Sequence, residues 1–320
     1  MLALIFTMLV AMLLAATMGF AIQRGGTCTV AAIDEVLRKR RFNRLLSLLE
    51  ASVWVLGGLL IAHAFNLMPP MPAGWVITPW MVLGAALLGL GAAVNRACVF
   101  GAIARFGSGE WAYLAAPVGF FIGCVLWQLL GQTILADHVP QKIATASIAF
   151  QAPTVLAWMI AAWMLWRVVK LAIVSVNDPK ALLAKVWEPH AATVVIGITF
   201  FFVLFLAGPW AYTDALADWA RGMMSNTLQR SLLLFALLAG AVYGGWTVGR
   251  FKTTRVTLAG LARCLIGGAL MGAGSVMIPG SNDGLILTGM PLLWPHAWLA
   301  FSVMCVTIAV FLKTTQWFQK

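Results

Sequence analysis

The sequence contains little charge. Asp, Glu, Lys and Arg make up 10% of its 320 residues and 62% are hydrophobic, whereas an ordinary soluble domain is about 25% charged. A soluble globule is therefore excluded, and so is a disordered chain, because a chain this apolar buries its surface wherever it can. Its 30 glycines follow no three-residue period, which excludes collagen. The composition predicts a polytopic helical membrane protein.

The sequence motifs of several enzyme classes are also missing. There is no Walker-type phosphate loop, no CxxC and no HExxH, so ATP-driven, thioredoxin-like and zinc-peptidase chemistry have no support. The four histidines occur singly near expected span ends, and the five cysteines, an odd number in mostly apolar stretches, do not form a disulfide framework. We therefore expect free thiols, no enzymatic activity, no cofactor and no metal site.

Nine apolar runs are each long enough to cross a bilayer as a helix of about 20 residues. They lie at residues 2–22, 45–65, 76–94, 111–131, 152–174, 191–208, 229–249, 257–278 and 296–312. The predicted fold class is an all-α polytopic membrane protein with about nine transmembrane helices, short broken or re-entrant helices and two pseudo-repeated halves, 1–150 and 151–320. Residues 1–23 contain no Lys or Arg, so we expect a retained first helix rather than a signal peptide.

Positive charge is distributed unevenly between the loops. If the nine runs alternate, 17 of the 21 Lys and Arg fall on one side and three on the other, and Arg263 falls within a run. Positive residues stay on the cytoplasmic side of short-looped membrane proteins, so we expect the N-terminus outside and the C-terminus in the cytoplasm. Segment 68–72 and the loop containing Asp214 and Asp218 would then be connectors on the outer face.

A short pattern recurs where the apolar runs are interrupted. A glycine lies nine residues before Cys28 and before Cys98, an arginine precedes each cysteine, and Ala-Ile follows four and five residues later. A third copy leads from Gly272 to Ser281, and a fourth, weaker copy spans 240–250, so the cysteine position reads Cys, Cys, Gly, Ser. Such repetition indicates duplicated halves, as in transporters built from internal repeats.

These interruptions are the best candidates for a binding site. Irregular backbone at membrane depth is tolerated only where it is buried in protein or lines a cavity. The N-terminus of a broken helix presents free amides that suit an anion, and a thiol adds a weak donor that can accompany a polarizable sulfur atom. The residues predicted to line a substrate path are Cys28, Cys98, Ser281, Gly25, Gly26, Arg24, Arg96, Asn282 and Arg263.

Most of these residue types also have a structural alternative. Glycines can serve close helix packing, as we expect for Gly84, Gly119 and Gly123, and arginines can extend to the membrane interface. Asp283 either caps the helix that follows it or holds a coupling cation or proton. The cysteines in uninterrupted apolar sequence are expected to be packing residues: Cys124, Cys264 and Cys305.

The sequence resembles the YeeE/YedE family of sulfur-compound transporters in three segments: Arg24-Gly25-Gly26-Thr27-Cys28, Arg96-Ala97-Cys98-Val99-Phe100-Gly101, and Gly268-Ala-Leu-Met-Gly272 leading into Pro279-Gly280-Ser281. The resemblance covers most of the chain. It implies a bacterial inner-membrane permease that takes up thiosulfate or a related sulfur compound, and the N-terminus that the charge distribution puts outside would then be periplasmic. It also implies that Cys28 and Cys98 relay the ion by S–H hydrogen bonds at the centre of an hourglass-shaped protein, beside a small cytoplasmic sulfur-carrier protein. Ser281 departs from members that carry a further cysteine there, although a hydroxyl still donates a hydrogen bond.

Three functions stay open. The first is a permease for a small sulfur-containing anion. The second is a membrane thiol protein that accepts sulfur as a persulfide or passes electrons, which requires a solvent-accessible cysteine of low pKa. The third is a non-transporting subunit that docks a cytoplasmic sulfur-carrier protein through the basic segments 38–44 and 180–185. For the first of these segments, an anchor of the topology at the lipid headgroups is the favoured interpretation.

Overall fold

The computed structural model describes residues 2–134, 140–143, 146–151, 153–177, 186–222 and 227–317. Helices make up most of these residues. The α-helices of nine residues or more in these ranges are α1 Leu2–Gly25, α2 Thr29–Lys39, α3 Asn43–Ala64, α4 Pro79–Asn95, α5 Val99–Gly107, α6 Ala115–Ile134, α7 Thr154–Asn177, α8 Pro189–Ala207, α9 Tyr212–Ala220, α10 Thr227–Thr247, α11 Leu258–Met277 and α12 Pro295–Trp317. Between α11 and α12, the short turn Asn282–Gly284 continues into a π-helical turn, Leu285–Gly289.

The expected membrane spans are confirmed. Across the described ranges, nine helices are long and apolar enough to cross a bilayer, and each overlaps one of the nine apolar runs. Helix α4 begins where the Thr78 hydroxyl accepts the N–H of Met81 at 3.3 Å, with Pro79 as its first residue, and both features favour a helix start. The chain therefore has the all-α polytopic membrane fold that its composition predicts.

Four of the long helices end in a short break, after which the chain turns helical again. The residues that cap the new helix or turn are Cys28 after α1, Cys98 after α4, Ala211 after α8 and Ser281 after α11. Cys28 and Cys98 are 70 positions apart in the chain, and so are Ala211 and Ser281. Each part of the chain therefore contributes two breaks with the same spacing.

Three of the breaks share one backbone turn. The N–H group just before the cap donates to the carbonyl five positions earlier, from Thr27 to Ile22 at 3.2 Å, from Ala97 to Ala92 at 3.1 Å and from Gly280 to Ser275 at 3.0 Å. Such a turn ends a helix through a residue with positive φ. Gly26 and Arg96 occupy this position, with φ of 56° and 60°. The three segments aligned in the sequence thus have the same local geometry.

The fourth copy of the pattern, predicted at 240–250, is wrong. Most of that stretch belongs to the continuous helix α10, and the fourth break lies at 208–211. Gly240 instead allows helix packing, because a Cβ there would overlap the carbonyl oxygen of Ala16 on α1. The structural alternative for glycine in a membrane helix, close approach of two backbones, applies at this site.

Glycines also bring other helices together, as predicted. A Cβ on Gly84 of α4 would lie 2.9 Å from the carbonyl oxygen of Gly274 on α11, and Gly119 and Gly123 of α6 lie against backbone carbonyls of the same helix α11. Since the added methyl groups would collide with backbone rather than with flexible side chains, these three positions are restricted to glycine by packing.

The loop containing Asp214 and Asp218, predicted to be a connector, is the helix α9. Thr213 and Ala215 in this helix are at most 1% exposed, and α9 packs against α6. The expectation was wrong because nine residues are too few to produce an apolar run of span length. The break at 208–211 therefore leads into a short helix inside the protein, as the breaks before α2 and α5 do.

The helices pack in a pattern that is matched between the two parts of the chain. Helix α1 packs against α10, as α8 does against α3, and α6 packs against α11, as α12 does against α4. The pairs α1 with α8 and α4 with α11 join the two sets. Helix α7 lies between the two sets in the sequence.

Helix α7 lies at the periphery, where only 6% of its most apolar stretch is buried. An ion pair holds it to α3, because Arg167 Nη2 lies 2.5 Å from Glu50 Oε1. Glu50 Oε2 pairs in turn with His190 at the start of α8. One turn further along, the rings of Trp54 on α3 and Trp163 on α7 lie 5.5 Å apart. Ile160 and Met164 of α7 pack against Gly57 of α3 as well, and most of the rest of the helix is available to lipid.

Candidate substrate path

The helix breaks bring Thr29, Cys98 and Asn282 into contact. The N–H group of Thr29 donates to Cys98 Sγ at 3.1 Å, and its hydroxyl donates to Asn282 Oδ1 at 3.2 Å. All three residues are 0% exposed. Thr29 is the first residue of α2, Cys98 caps α5, and Asn282 follows the cap Ser281, so three of the four breaks meet at one buried point.

Cys28 and Cys98 are neighbours at this point. Their thiols lie within hydrogen-bonding reach of each other, and both cysteines are free, Cys28 partly exposed and Cys98 buried. Gly101 on α5 makes this arrangement fit, because a Cβ on Gly101 would lie 2.5 Å from Cys28 Sγ and 3.0 Å from Cys28 Cβ. The position opposite the Cys28 thiol is thus restricted to a residue without a side chain.

A large cavity of about 750 Å³ reaches Cys28. Gly26 and Asp34 also lie in its wall. The wall is rich in guanidinium groups, contributed by Arg38, Arg44, Arg96, Arg105, Arg250 and Arg263. Six arginines and one carboxylate give this cavity a positive potential, which raises the local concentration of anions. The large cavity can therefore hold an anion next to the Cys28 thiol.

A small cavity of about 90 Å³ lies on the opposite face and is lined by Trp75, Asp214 and His296 among others. The two cavities lie at opposite ends of helix α12, because His296 near its start lines the small cavity and Gln316 near its end lines the large one. Twenty residues of helix span about 30 Å. The two cavities therefore approach the buried contact point from the two sides of the membrane.

Residues 281–283 separate the small cavity from Cys98. Gly280 and Gly284, at the two ends of this segment, line the small cavity, whereas Asn282 accepts the hydrogen bond from Thr29, the residue that contacts Cys98. Asn282 Nδ2 is buried and has no hydrogen-bond partner among the described residues. We refer to the segment 281–283 as the partition. The partition thus carries a free donor beside the buried contact point.

Seven of the nine predicted path residues lie at the contact point or in a cavity wall. Four of them meet at the breaks: Cys28, Cys98, Ser281 and Asn282. Three of them line the large cavity: Gly26, Arg96 and Arg263. Of the basic segments proposed for docking, 38–44 contributes to the wall of the large cavity, while Lys180 and Lys185 lie outside the described residues.

Arg24 and Gly25 lie elsewhere and line neither cavity. Arg24 is 1% exposed, donates from Nη2 to the Thr247 hydroxyl at 2.6 Å, and lies over the Phe20 ring at 4.7 Å. Gly25 packs against Ala192 on α8. Both residues therefore join α1 to neighbouring helices. Arg24 precedes its cysteine by four positions and Arg96 by two, so the two arginines never occupied equivalent positions of the repeat.

The sequence did not predict a role at the site for several residues that the structure places there. Thr29 gave no signal, because a threonine inside an apolar run is ordinary, and Gly101 stood in a family motif without a role of its own. On α9, the Tyr212 hydroxyl donates to the Val99 carbonyl at 3.2 Å, and Thr213 donates to Asp283. Asp214, next to Tyr212 and Thr213 in the sequence, was the signal that could have indicated α9, because an ionisable residue between apolar stretches marks a candidate functional site.

A spanning helix bundle in which broken helices meet at a buried point between two opposed cavities defines the class of polytopic membrane transport proteins. Comparison with known families specifies the class further. A family model described as sulphur transport matches residues 24–310, and the chain belongs to this family, the YeeE/YedE sulphur transport family. No curated protein matches the chain. Membership indicates a sulfur-compound transporter rather than an enzyme.

Proposed function

We propose that this protein takes up thiosulfate or a related sulfur-containing anion through a central path lined by Cys28 and Cys98. The observation that carries this proposal is the position of Cys98, which is fully buried, contacts Thr29 and Cys28, and lies between the large cavity and the partition. An anion crossing from one cavity to the other has to pass this thiol. We further propose that the membrane is the bacterial inner membrane.

The chemistry of the path suits an anion with a sulfur atom. Helices α2 and α5 begin at Cys28 and Cys98, and the amides of a first helical turn, with the positive end of the helix dipole, favour negative charge. A thiol is a weak donor, and its polarizable sulfur tolerates another soft atom at close range. Sulfate, whose outer atoms are all oxygen, requires stronger donors than two thiols supply. This difference supports selectivity for thiosulfate.

Direction follows from the distribution of charge. The six arginines of the large cavity support a cytoplasmic position for it under the positive-inside rule. The N-terminus is then periplasmic and the C-terminus cytoplasmic. The anion enters from the small cavity and arrives in a positive vestibule, which draws it inward. A small cytoplasmic sulfur-carrier protein would collect it there.

The closeness of the two thiols favours one other function, transfer of sulfur or electrons by a thiol pair. Cys28 is partly exposed to the large cavity and lies beside Cys98, which is an arrangement that a dithiol reaction needs. In that case a cysteine would be a nucleophile. A hydroxyl cannot replace a thiolate in that role, whereas it can replace a hydrogen-bond donor.

Uptake of radiolabelled thiosulfate by proteoliposomes that contain only this protein tests the proposal. Cys98→Ala should lower the initial rate of thiosulfate uptake by at least about tenfold, which corresponds to a free-energy difference of about 1.4 kcal/mol. Cys98→Ser should retain part of the wild-type rate. Cys305→Ala is the matched control, because Cys305 lies on α12 away from both cavities and should transport normally. Excess unlabelled sulfate should not compete.

Two results would count against the permease. Undiminished uptake by Cys98→Ala would remove this thiol from the path. Equal and complete loss in Cys98→Ser and Cys98→Ala, together with a persulfide found on Cys98 by mass spectrometry, would favour covalent sulfur transfer instead.

A further inference from the structure

Two carboxylates lie at the partition. Asp283 is 2% exposed, and its Oδ1 accepts hydrogen bonds from the Thr213 hydroxyl and from the N–H of Gly284 at 3.1 Å. Its Oδ2 lies beside the Ser281 hydroxyl, yet neither atom forms a hydrogen bond of good geometry with the described residues. The carboxylate of Asp214 faces the same place, because a Cβ on Gly284 would lie 3.7 Å from both of its oxygens.

No described cation neutralises Asp283. The titratable groups that face it are Tyr212 and Asp214 from α9. The turn Leu285–Gly289 adds no titratable group. Around Asp283, α1, α8 and α10 present only apolar side chains: Met18, Ile22, Phe200 and Leu237.

The arginines that act on Asp214 are engaged with another carboxylate. Arg221 and Arg230 both form ion pairs with Asp218, near the end of α9. Their positive charge favours the ionised form of Asp214, whereas Asp283 lies deeper and next to Asn282. The partition therefore presents a buried carboxylate at the very place where an anion must pass to reach Cys98.

Two like charges repel strongly where the surroundings exclude water. An ionised Asp283 would therefore oppose the entry of thiosulfate from the small cavity, while a protonated Asp283 would be neutral and could donate a hydrogen bond to the anion. Asp214 and Asp283 act on each other electrostatically, and because two neighbouring carboxylates do not both ionise easily, each makes the other hold a proton more readily.

We propose that uptake is coupled to protons and that Asp283, assisted by Asp214, is the residue that carries the proton across the partition. This inference rests on the proposed uptake function. In each cycle, one proton from water in the small cavity adds to the Asp283 carboxylate, the anion passes the neutral acid, and the same proton leaves toward the large cavity. The hydroxyl and thiol groups of Thr29, Cys98 and Cys28 lie along that exit. No bond within the anion is made or broken, and the protein needs no oxidant.

The test uses proteoliposomes loaded with the pH-sensitive dye pyranine, with the membrane potential held at zero by potassium and valinomycin. With the outside more acidic by one pH unit, radiolabelled thiosulfate uptake by the wild type should be at least about fivefold faster than without a gradient. Adding thiosulfate without a gradient should acidify the lumen. Asp283→Asn should abolish both the stimulation by the gradient and the acidification.

Two further variants separate coupling from folding. Asp214→Asn should shift the external pH of half-maximal uptake toward acid, because removing the neighbouring negative charge weakens proton binding by Asp283. Asp218→Asn makes the same change on the same helix but at the ion pair with Arg221 and Arg230, so its pH profile should match that of the wild type. If Asp283→Asn does not fold, two measurements still test proton coupling: acidification of the lumen by the wild type, and the dependence of uptake by Asp214→Asn on external pH.

Uptake by the wild type that is equally fast with and without the gradient, with no acidification of the lumen, would overturn proton coupling and leave the permease intact. A complete lack of thiosulfate uptake under every gradient would overturn the permease, and proton coupling with it.

Discussion

At the scale of single residues, the arrangement of the two thiols depends on a position that has no side chain. Gly101 lies opposite Cys28, and the added Cβ of an alanine would come within 2.5 Å of its sulfur. Carbon and sulfur in contact normally lie more than 3.5 Å apart, so one of them would have to move by about 1 Å. Displacing Cys28 would also separate it from Cys98.

We therefore expect Gly101→Ala to lower thiosulfate uptake by at least about tenfold and to destabilise the protein by about 1–3 kcal/mol, the usual cost of overpacking. Alanine is the better helix former by about 1 kcal/mol, so helix propensity would act in the opposite direction. Thermal unfolding in detergent measures the effect.

A double-mutant cycle isolates the contact with the sulfur. In the background Cys28→Ala the sulfur is absent, and Gly101→Ala should cost clearly less stability than in the wild type. An equal cost in the two backgrounds would show that the added methyl group collides with something other than the Cys28 thiol.

The site could be predicted from the sequence in part. The spacing of the repeat identified Cys28, Cys98 and Ser281, because a helix break needs residues that turn the chain and leaves a cap at a fixed distance. It did not identify Thr29 or Asp283's partner Thr213, whose roles depend on which segments meet in space. Arg24 was assigned to the path by proximity in sequence, yet the helix directs it toward α10.

At the scale of elements, the nine spans could be read from the sequence because each needs about 20 apolar residues and few other structures do. The short helix α9 could not, since its length leaves no such signature. Glycines gave the wrong location for the fourth break, because a glycine that ends a helix and one that packs two helices look alike in sequence. Only the neighbouring helix, α1 in the case of Gly240, distinguishes the two.

Helix α7 provides a prediction at this scale. Its ion pair with Glu50 joins it to α3 by opposite charges, and Glu50 has only 10% of its side chain exposed. Glu50→Gln leaves Arg167 with a weaker acceptor and His190 without an ionised partner, so we expect a loss of about 1–3 kcal/mol in stability. Hydrogen–deuterium exchange should rise along α7 in particular.

Asp34→Asn is the control for this change. Asp34 pairs with Arg38 at 2.6 Å on an exposed surface, where such pairs contribute about 0.5 kcal/mol or less. A loss of stability as large as that of Glu50→Gln, or unchanged exchange along α7 in Glu50→Gln, would contradict the assignment of Glu50 as the anchor of this helix.

At the scale of the whole molecule, we propose that residues 1–150 and 151–320 are duplicated halves. The equal spacing of the breaks and the matched packing of α1 on α10 and α8 on α3 support this division. Helices α1 and α8 are the first and sixth spans, so they cross the membrane in opposite directions, which is the arrangement of an inverted repeat.

The orientation in the membrane can be tested with single cysteines placed in the two cavities. In a background that lacks the partly exposed Cys28 and Cys305, Arg250→Cys in the large cavity should react with an impermeant maleimide only in inside-out vesicles. Ala73→Cys in the small cavity should react only in right-side-out vesicles. The reverse pattern would invert the proposed orientation, and reaction of both from one side would contradict the opposition of the cavities.

The two opposed cavities also determine where the membrane voltage acts. Water in the large cavity carries one bulk potential to Cys28, and water in the small cavity carries the other to Gly280 and Gly284, so the voltage is concentrated on the buried region between them rather than spread over about 30 Å of bilayer. A divalent anion moving inward against 100 mV, negative inside, meets an opposing free energy of about 4.6 kcal/mol, and the one proton that accompanies it offsets about 2.3 kcal/mol of this. The crossing therefore carries one net negative charge inward, and uptake should slow as the inside becomes more negative.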